Sequence, residues 1–213
     1  MHAVIFVNGI VQSYAPLVAW LDQADLWVAA DGGLRHFRAM DRQPHALVGD
    51  LDSVEPNLVA ELEAAGVHIE RHRPEKNETD LELAIEYAIQ AGASQIVLLG
   101  ALGGRLDQTL ANLLLLAQRA WPAAISVVEA DQVATVLRPG YTLELEGVPG
   151  SVVSLIPLTT AVTGITYHGL KYPLRQATLA FGSTRGVSNE MAETRATVQI
   201  ETGLALIVRA LAS

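Results

Sequence analysis

The 213-residue sequence predicts an α/β protein, in which an N-terminal domain with a mostly parallel sheet is followed by a C-terminal antiparallel β-sandwich domain. Two observations lead to this prediction. In the first half, short apolar runs rich in β-branched residues alternate with helical segments, which is the pattern of βαβ units. In the second half the helical pattern stops, and short strand-like segments follow one another between turns rich in Gly, Pro and Thr.

The predicted strands of the first half are five apolar runs: AVIFV (3–7), LWVAA (26–30), HALVG (45–49), VHIE (67–70) and QIVLLG (95–100). The helical segments between and after them are Pro16–Leu21, Leu34–Met40, Pro56–Ala65, Asp80–Gln90 and Leu106–Ala120. Strands that alternate with helices imply right-handed crossovers and a sheet covered on both faces.

The second half contains the segments YTLELEG, SVVSLIPL, ATLAFG, ATVQIE and LALIVRAL, which we predict to be antiparallel strands. The change of pattern lies near Arg138-Pro139-Gly140. We therefore expect one domain over residues 1–138 and a second over residues 139–213.

Composition and charge narrow the class of protein. The net charge of −9 argues against broad binding to nucleic acids or anionic membranes, because both favour clusters of Lys and Arg. There are no cysteines, which excludes disulfides, thiolate metal sites and cysteine nucleophiles. The segment MHAVIFVNGI lacks the cationic region of a signal peptide, and no apolar run approaches the roughly 18 residues of a membrane span. We expect a cytoplasmic protein that binds neither nucleic acid nor membrane.

Glycine-rich or acidic clusters follow the predicted strands of the first half. They are Asn8-Gly9, Asp31-Gly32-Gly33, Gly49–Asp52, Pro74–Asp80 and Gly100–Asp107. Ligands of open α/β sheets bind outside the carboxyl ends of the strands, so we expect these clusters to form one polar site.

Asp50 and Asp52 point to the same face of an extended chain. Two carboxylates held this close repel each other unless a cation lies between them. A turn that leads into the next helix would explain one of them and not the pair. The alternative is a Mg²⁺ site, because Mg²⁺ takes oxygen ligands and commonly joins one or two carboxylates to substrate phosphates.

Thr79-Asp80-Leu81-Glu82 fits a capping box, which by itself accounts for Asp80 at a helix N-terminus. Lys76 is either a solvated loop residue or a phosphate contact. Asp31-Gly32-Gly33 is also compatible with a simple turn. The glycines of the Gly100–Asp107 segment allow backbone N–H groups to surround an anion, and Arg105 adds a forked donor suited to phosphate. The segment predicts an anion-binding loop.

The motifs ADGGL (30–34), GDLDS (49–53), KNETD (76–80) and GGRLDQ (103–108), in this order, resemble those of the thiamine pyrophosphokinase family. The stretches HGLKYPL (168–174) and FGSTRGVSN (181–189) resemble the substrate-domain motif of the same family. The resemblance covers nearly the whole chain. It implies a homodimeric enzyme that transfers a diphosphoryl group from ATP to the hydroxyl of thiamine, releases AMP and needs Mg²⁺.

The resemblance also implies roles for individual residues. Asp50, Asp52 and Asp80 would be metal ligands, and Arg105 and Asp107 would act with them in catalysis. The residues implied in nucleotide binding lie in the glycine-rich motifs and beside them: Asp31, Gly32, Gly33, Lys76, Thr79, Gly103, Gly104, Arg105, Asp107 and Gln108. Tyr172, Ser188 and Asn189 would contact thiamine, the last two across the dimer interface.

Four positions depart from the usual family pattern. Asn77 stands where many members have Asp, Tyr172 where Trp is usual, Gly186 where Ser is frequent, and Gln108 where bacterial members often have His. Three alternatives therefore stay open on the sequence: a related diphosphokinase for a pterin or another small alcohol, a nucleotide-binding module without turnover, and a DxD glycosyltransferase.

Overall fold

The computed structural model describes residues 1–211, which form two compact units. The first is Met1–Ala130, and the second begins at Asp131. The sequence analysis placed the change near Arg138; the strand before that point joins the second unit because it pairs with the last strand of the chain. None of the helices within residues 1–211 has the length and apolar character needed to cross a bilayer.

The first unit contains six strands. They are β1 (His2–Phe6), β2 (Leu26–Ala30), β3 (Ala46–Gly49), β4 (His68–Arg71), β5 (Gln95–Leu99) and β6 (Ala124–Glu129). All are parallel to their neighbours, in the order β6-β5-β1-β2-β3-β4. The chain adds strands on one side of β1 and then continues on the other. The sheet therefore has a topological switch point beside β1, where open α/β sheets bind ligands.

Five α-helices connect or follow these strands: α1 (Ala15–Asp22), α2 (Leu34–Ala39), α3 (Pro56–Ala64), α4 (Asp80–Gln90) and α5 (Leu106–Gln118). Helix α4 packs on β2 and β3 through a buried stripe that includes Leu81, Ile85 and Ala88. All four residues of β3 are buried, as expected for an inner strand of a parallel sheet. Gly66 and Gly92 follow the helix ends with φ of 89° and 97°, a conformation that glycine adopts without strain.

The second unit is an antiparallel sandwich. Its strands are β7 (Gln132–Leu137), β8 (Thr142–Glu146), β9 (Val152–Pro157), β10 (Ala161–His168), β11 (Ala177–Ala180), β12 (Asn189–Glu190), β13 (Arg195–Gln199) and β14 (Ala205–Ala210). One sheet has the order β12-β9-β14-β7, and the other has the order β11-β10-β13-β8. A shared apolar core joins them, with Leu155 and Ile207 from the first sheet and Ile165 and Val198 from the second.

The predicted fold class is confirmed: a parallel α/β unit precedes an antiparallel β unit. The sequence analysis did not identify β6, β7 or β10. Strand β10 contains Gly164 at φ 66°, and its register with β11 shifts between Val162 and Ile165. A bulge of this kind interrupts the alternation by which a strand is recognised in a sequence.

Candidate functional site

A cleft of about 510 Å³ opens in the first unit, beyond the carboxyl ends of its strands. This volume lies within the range of small-molecule sites. Four of the five polar clusters contribute to its lining. The residues concerned include Asn8, Gly9, Asp31, Lys76, Thr79, Asp80, Gly103, Gly104, Arg105 and Gln108. Most of the nucleotide-binding residues that the sequence implied are therefore brought to one place.

The Asp31-Gly32-Gly33 segment forms a single 3₁₀ turn packed against the end of β1. A Cβ atom on Gly33 would lie 2.1 Å from the carbonyl oxygen of Phe6, and one on Gly32 would lie 2.3 Å from Nδ2 of Asn8. Both distances are far shorter than any real carbon contact, so the glycines permit this close packing. They shape the cleft, and the turn holds Asp31 at its floor.

Three carboxylates meet at this point. Asp31, Asp50 and Asp52 each offer an oxygen atom within 4.8 Å of the others. Asp31 is 8% exposed, and its Oδ1 has no hydrogen-bond partner among the described residues. Burial raises the pKa of the Asp31 carboxyl, and the nearby Asp80 and Asp50 raise it further. An orphaned buried oxygen beside two other carboxylates is the donor set that a hard divalent cation needs.

Asp80 and Lys76 lie next to this group. Asp50 donates its backbone N–H to Oδ1 of Asp80 at 3.3 Å. The ammonium group of Lys76 forms an ion pair with Asp80 and lies 3.8 Å from Oδ2 of Asp50. Only 13% of the Lys76 side chain is exposed, so it contributes a largely desolvated positive charge between two carboxylates. The sequence implied Asp80 as the third metal ligand; the close group of three contains Asp31 instead, while Asp80 is paired with Lys76.

Thr79 holds the start of α4 as the capping box predicts, since its Oγ1 accepts a hydrogen bond from the N–H of Glu82 at 3.2 Å. This cap fixes Asp80 in the first helical turn. The local explanation of Asp80 and its place beside Asp50 therefore hold together, because the cap positions the carboxylate.

The glycine-rich loop forms another part of the wall. Gly103 and Gly104 have φ of 81° and 77°, a conformation that disfavours residues with a side chain. Arg105 precedes α5 and forms an ion pair with Asp107, with Nε 3.1 Å from Oδ1. The guanidinium holds the pKa of the Asp107 carboxyl below its usual value. Asp107 therefore pairs with Arg105 and does not cap the helix, and the exposed guanidinium is available to an anion.

Gln108 and Asn112 both line the cleft, in agreement with their shared helix face. Asn112 is buried and donates from Nδ2 to the carbonyl oxygen of Ala101 at 2.7 Å. It therefore ties α5 to the glycine-rich loop. Gln108 remains exposed at the cleft.

In the second unit, Tyr172 and Asn189 are joined by reciprocal hydrogen bonds. The N–H of Tyr172 donates to Oδ1 of Asn189 at 3.0 Å, and Nδ2 of Asn189 donates to the carbonyl of Tyr172 at 2.8 Å. Asn189 is buried, whereas the Tyr172 side chain is exposed. Ser188 has φ of 62°, and its N–H donates to Oγ of Ser154 at 3.0 Å. The two sequence stretches implied in substrate binding are therefore adjacent.

Gly186 has a packing explanation. A Cβ atom there would lie 2.3 Å from the carbonyl oxygen of Leu155. The backbone of this chain consequently requires glycine at a position where Ser is frequent in the family.

The sequence analysis did not identify Arg35, which lines the cleft from the second residue of α2. Its only sequence signal is its place two residues after the Gly32-Gly33 turn. Ile10 was missed as well; it lies against Gly103, whose Cβ position is 3.2 Å from the Cβ of Ile10.

Comparisons with known proteins agree with this geometry. Residues 17–129 match the family model described as "Thiamin pyrophosphokinase, catalytic domain", and residues 140–205 match "Thiamin pyrophosphokinase, vitamin B1 binding domain". The chain is 28% identical to a thiamine pyrophosphokinase of Bacillus subtilis over 98% of its length and 99% of that protein. It is 27% identical to thiamine pyrophosphokinase 1 of Oryza sativa subsp. japonica, over 90% of its length and 81% of that protein.

Solved structures of the family have the same fold. The thiamine pyrophosphokinase of Bacillus subtilis superposes with a TM-score of 0.87 at 26% identity, over 99% of each chain. The thiamin pyrophosphokinase of Geobacillus thermodenitrificans superposes with a TM-score of 0.80 at 30% identity, over 99% of this chain and 97% of the other. On the two family models and this coverage, the chain belongs to the thiamin pyrophosphokinase family.

Proposed function

We propose that this chain is a Mg²⁺-dependent thiamine pyrophosphokinase, which transfers the terminal diphosphoryl group of ATP to the hydroxyl of thiamine and releases AMP. The observation that carries the proposal is one cleft with a carboxylate group at one side and an anion-binding loop at another. This is the arrangement that transfer of a phosphoryl-type group requires. Both family models match this chain, and curated thiamine pyrophosphokinases are similar to it over nearly its whole length.

Asp50 and Asp52 are the proposed metal ligands, together with Asp80 and, on its distance and its orphaned oxygen, Asp31. Mg²⁺ bound there would neutralise phosphate charge and orient the β-phosphorus. Lys76 keeps the carboxylates from repelling one another before the substrate binds, and we propose that it contacts phosphate when the substrate is present.

Gly103, Gly104 and Arg105 are proposed to bind the phosphates, with Asp107 holding the Arg105 guanidinium in place. In the reaction a bond forms between the thiamine hydroxyl oxygen and the β-phosphorus. The bond from that phosphorus to the oxygen bridging it to the α-phosphate breaks, AMP carries that oxygen away, and the hydroxyl proton is released. The cationic and N–H donors of the cleft would stabilise the charge that develops.

Asp31, Gly32, Gly33, Thr79 and Gln108 are proposed to complete the nucleotide site. The Tyr172 ring and Ser188 are proposed to contact thiamine, with Asn189 holding the Tyr172 backbone. Following the resemblance, we propose a homodimer in the cytoplasm, in which each partner contributes to the thiamine site.

The residue assignment is tested with Asp50→Asn. We expect activity to fall at least about 100-fold and the Mg²⁺ concentration for half-maximal rate to rise, because a ligand charge is lost. Glu63→Gln is the matched control, since Glu63 is an exposed carboxylate on α3, outside the cleft lining described above. Full activity and an unchanged Mg²⁺ dependence in Asp50→Asn would overturn the assignment.

A further inference from the structure

Arg35 differs from the other basic residues of the cleft in its partners. Lys76 and Arg105 are each paired with carboxylates. Arg35 has no ion pair within residues 1–211; its described partners are two backbone carbonyls and an imidazole. Its positive charge is therefore available to an anion in the cleft, whereas an anion must compete with carboxylates for the other two.

The guanidinium is anchored by one of its terminal nitrogens. Nη2 donates to the carbonyl oxygen of Asn8 at 3.1 Å and to that of Gly9 at 2.5 Å. These two bonds use both N–H groups of Nη2. Nη1 carries two further N–H groups, for which no partner is found in the described part of the chain. The side chain is thus fixed at one end and has donors left at the other.

His36 supports this arrangement from below. It is 2% exposed, its Nδ1 lies 2.9 Å from the hydroxyl of Tyr14, and its Nε2 lies 3.1 Å from the carbonyl oxygen of Gly9. These partners assign a neutral ring, in which Nε2–H donates to Gly9 and Nδ1 accepts from Tyr14. Burial and the charge of Arg35 lower the pKa of His36 to about 4. The ring therefore does not repel the guanidinium at neutral pH.

The anchor of Arg35 is continuous with the glycine-rich loop. Gly9 donates its N–H to the carbonyl of Gly100 at 2.7 Å, and Ile10 donates to the carbonyl of Leu102 at 3.0 Å. Arg35 is consequently attached to the same rigid wall that leads to Gly103 and Arg105. A ligand bound along this wall meets both guanidinium groups.

We propose that Arg35 is a further nucleotide-binding residue, whose anchored guanidinium contacts the β- or γ-phosphate of a nucleoside triphosphate through Nη1. The inference rests on the proposed function, because it takes ATP as the ligand of the cleft. Arg35 contributes binding of phosphate charge and has no part in binding thiamine.

The test compares Arg35→Gln with Arg38→Gln in the full chain. Arg38 is also exposed on α2 but is outside the described residues that line the cleft. Dissociation constants for ATP, ADP and AMP are measured by titration calorimetry with Mg²⁺ and without thiamine, at low and at high salt. We expect Arg35→Gln to weaken ATP binding about tenfold or more and AMP binding less than about threefold, and to reduce the salt dependence. Arg38→Gln should bind all three nucleotides like the wild type.

An equal loss for AMP and ATP, or no loss for either, would overturn the contact with the outer phosphates. Arg35→Lys separates charge from structure, because it keeps the charge and cannot bond both carbonyls as the fork does. We expect it to retain ATP affinity within about threefold of wild type at low salt; a loss as large as that of Arg35→Gln would also contradict the proposal. A wild-type chain that binds ATP but releases no AMP with thiamine would overturn the proposed reaction and leave this inference intact.

Discussion

Asp31→Asn is expected to stabilise the metal-free protein and to weaken its response to Mg²⁺. The three carboxylates lie within 4.8 Å of one another, and Lys76 lies near Asp50 and Asp80. At this distance two unit charges repel by about 3 kcal/mol at an effective dielectric of 20, and by about 1 kcal/mol in water. Removing the charge of Asp31 relieves part of this repulsion, so we expect the free energy of unfolding in EDTA to rise by about 1–2 kcal/mol. The replacement amide can also donate a hydrogen bond to a neighbouring carboxylate.

The assay is thermal unfolding in EDTA and in saturating Mg²⁺. A gain of about 1–2 kcal/mol corresponds to roughly 2–8 °C in a chain of this size. Mg²⁺ should raise the midpoint of the wild type and raise that of Asp31→Asn much less, because a ligand that binds only the folded state stabilises it according to its affinity. Glu63→Gln should behave like the wild type in both conditions. A variant less stable than wild type in EDTA, or equally stabilised by Mg²⁺, would refute the reasoning.

Three further perturbations test other parts of the structure. Lys76→Met should lower the free energy of unfolding in EDTA by about 1–3 kcal/mol, because two carboxylates lose their shared counter-charge, and saturating Mg²⁺ should restore much of it; a denaturant titration would detect the loss, and unchanged stability would argue against the ion pairs. The pKa of His36 falls from 6.5 to about 4 in the folded state, so its stabilising contribution is present above pH 6.5 and is lost as pH falls towards 4. This amounts to about 3 kcal/mol, and the pH dependence of unfolding should be flatter by that amount in His36→Gln; parallel profiles would contradict it. Gly33→Ala should cost several kcal/mol, because its Cβ would meet a backbone carbonyl at 2.1 Å, whereas Gly66→Ala, with open space around it, should cost only about 1–2 kcal/mol; similar melting temperatures for the two would contradict the packing argument.

The fold of the first unit could be predicted from the sequence because each strand and helix carries its own local pattern. The run HALVG is apolar because β3 is buried on both faces, and Thr79 announces the start of α4 by its cap. Strand β10 could not be predicted in the same way. Its bulge at Gly164 breaks the alternation, and its burial depends on the facing sheet.

The candidate site was predictable to the extent that its residues sit in local motifs. Asp50 and Asp52 repel unless paired, and the glycines before Arg105 signal an unusual backbone, so both could be found in the sequence. Asp31 has no such signal as a member of the carboxylate group, because its approach depends on the packing of Gly33 against Phe6.

Arg35 also depends on tertiary packing. Its two carbonyl partners precede it by more than 25 residues, and only the folded sheet brings them together.

The central claim is that the cleft transfers a diphosphoryl group as one unit from ATP to thiamine. The most direct measurement is ³¹P NMR of a reaction containing the wild-type chain, thiamine, ATP and Mg²⁺. We predict that thiamine diphosphate and AMP accumulate in equal amounts, and that neither forms when EDTA replaces Mg²⁺. Accumulation of ADP with thiamine monophosphate, or no thiamine-dependent release of AMP, would contradict the account.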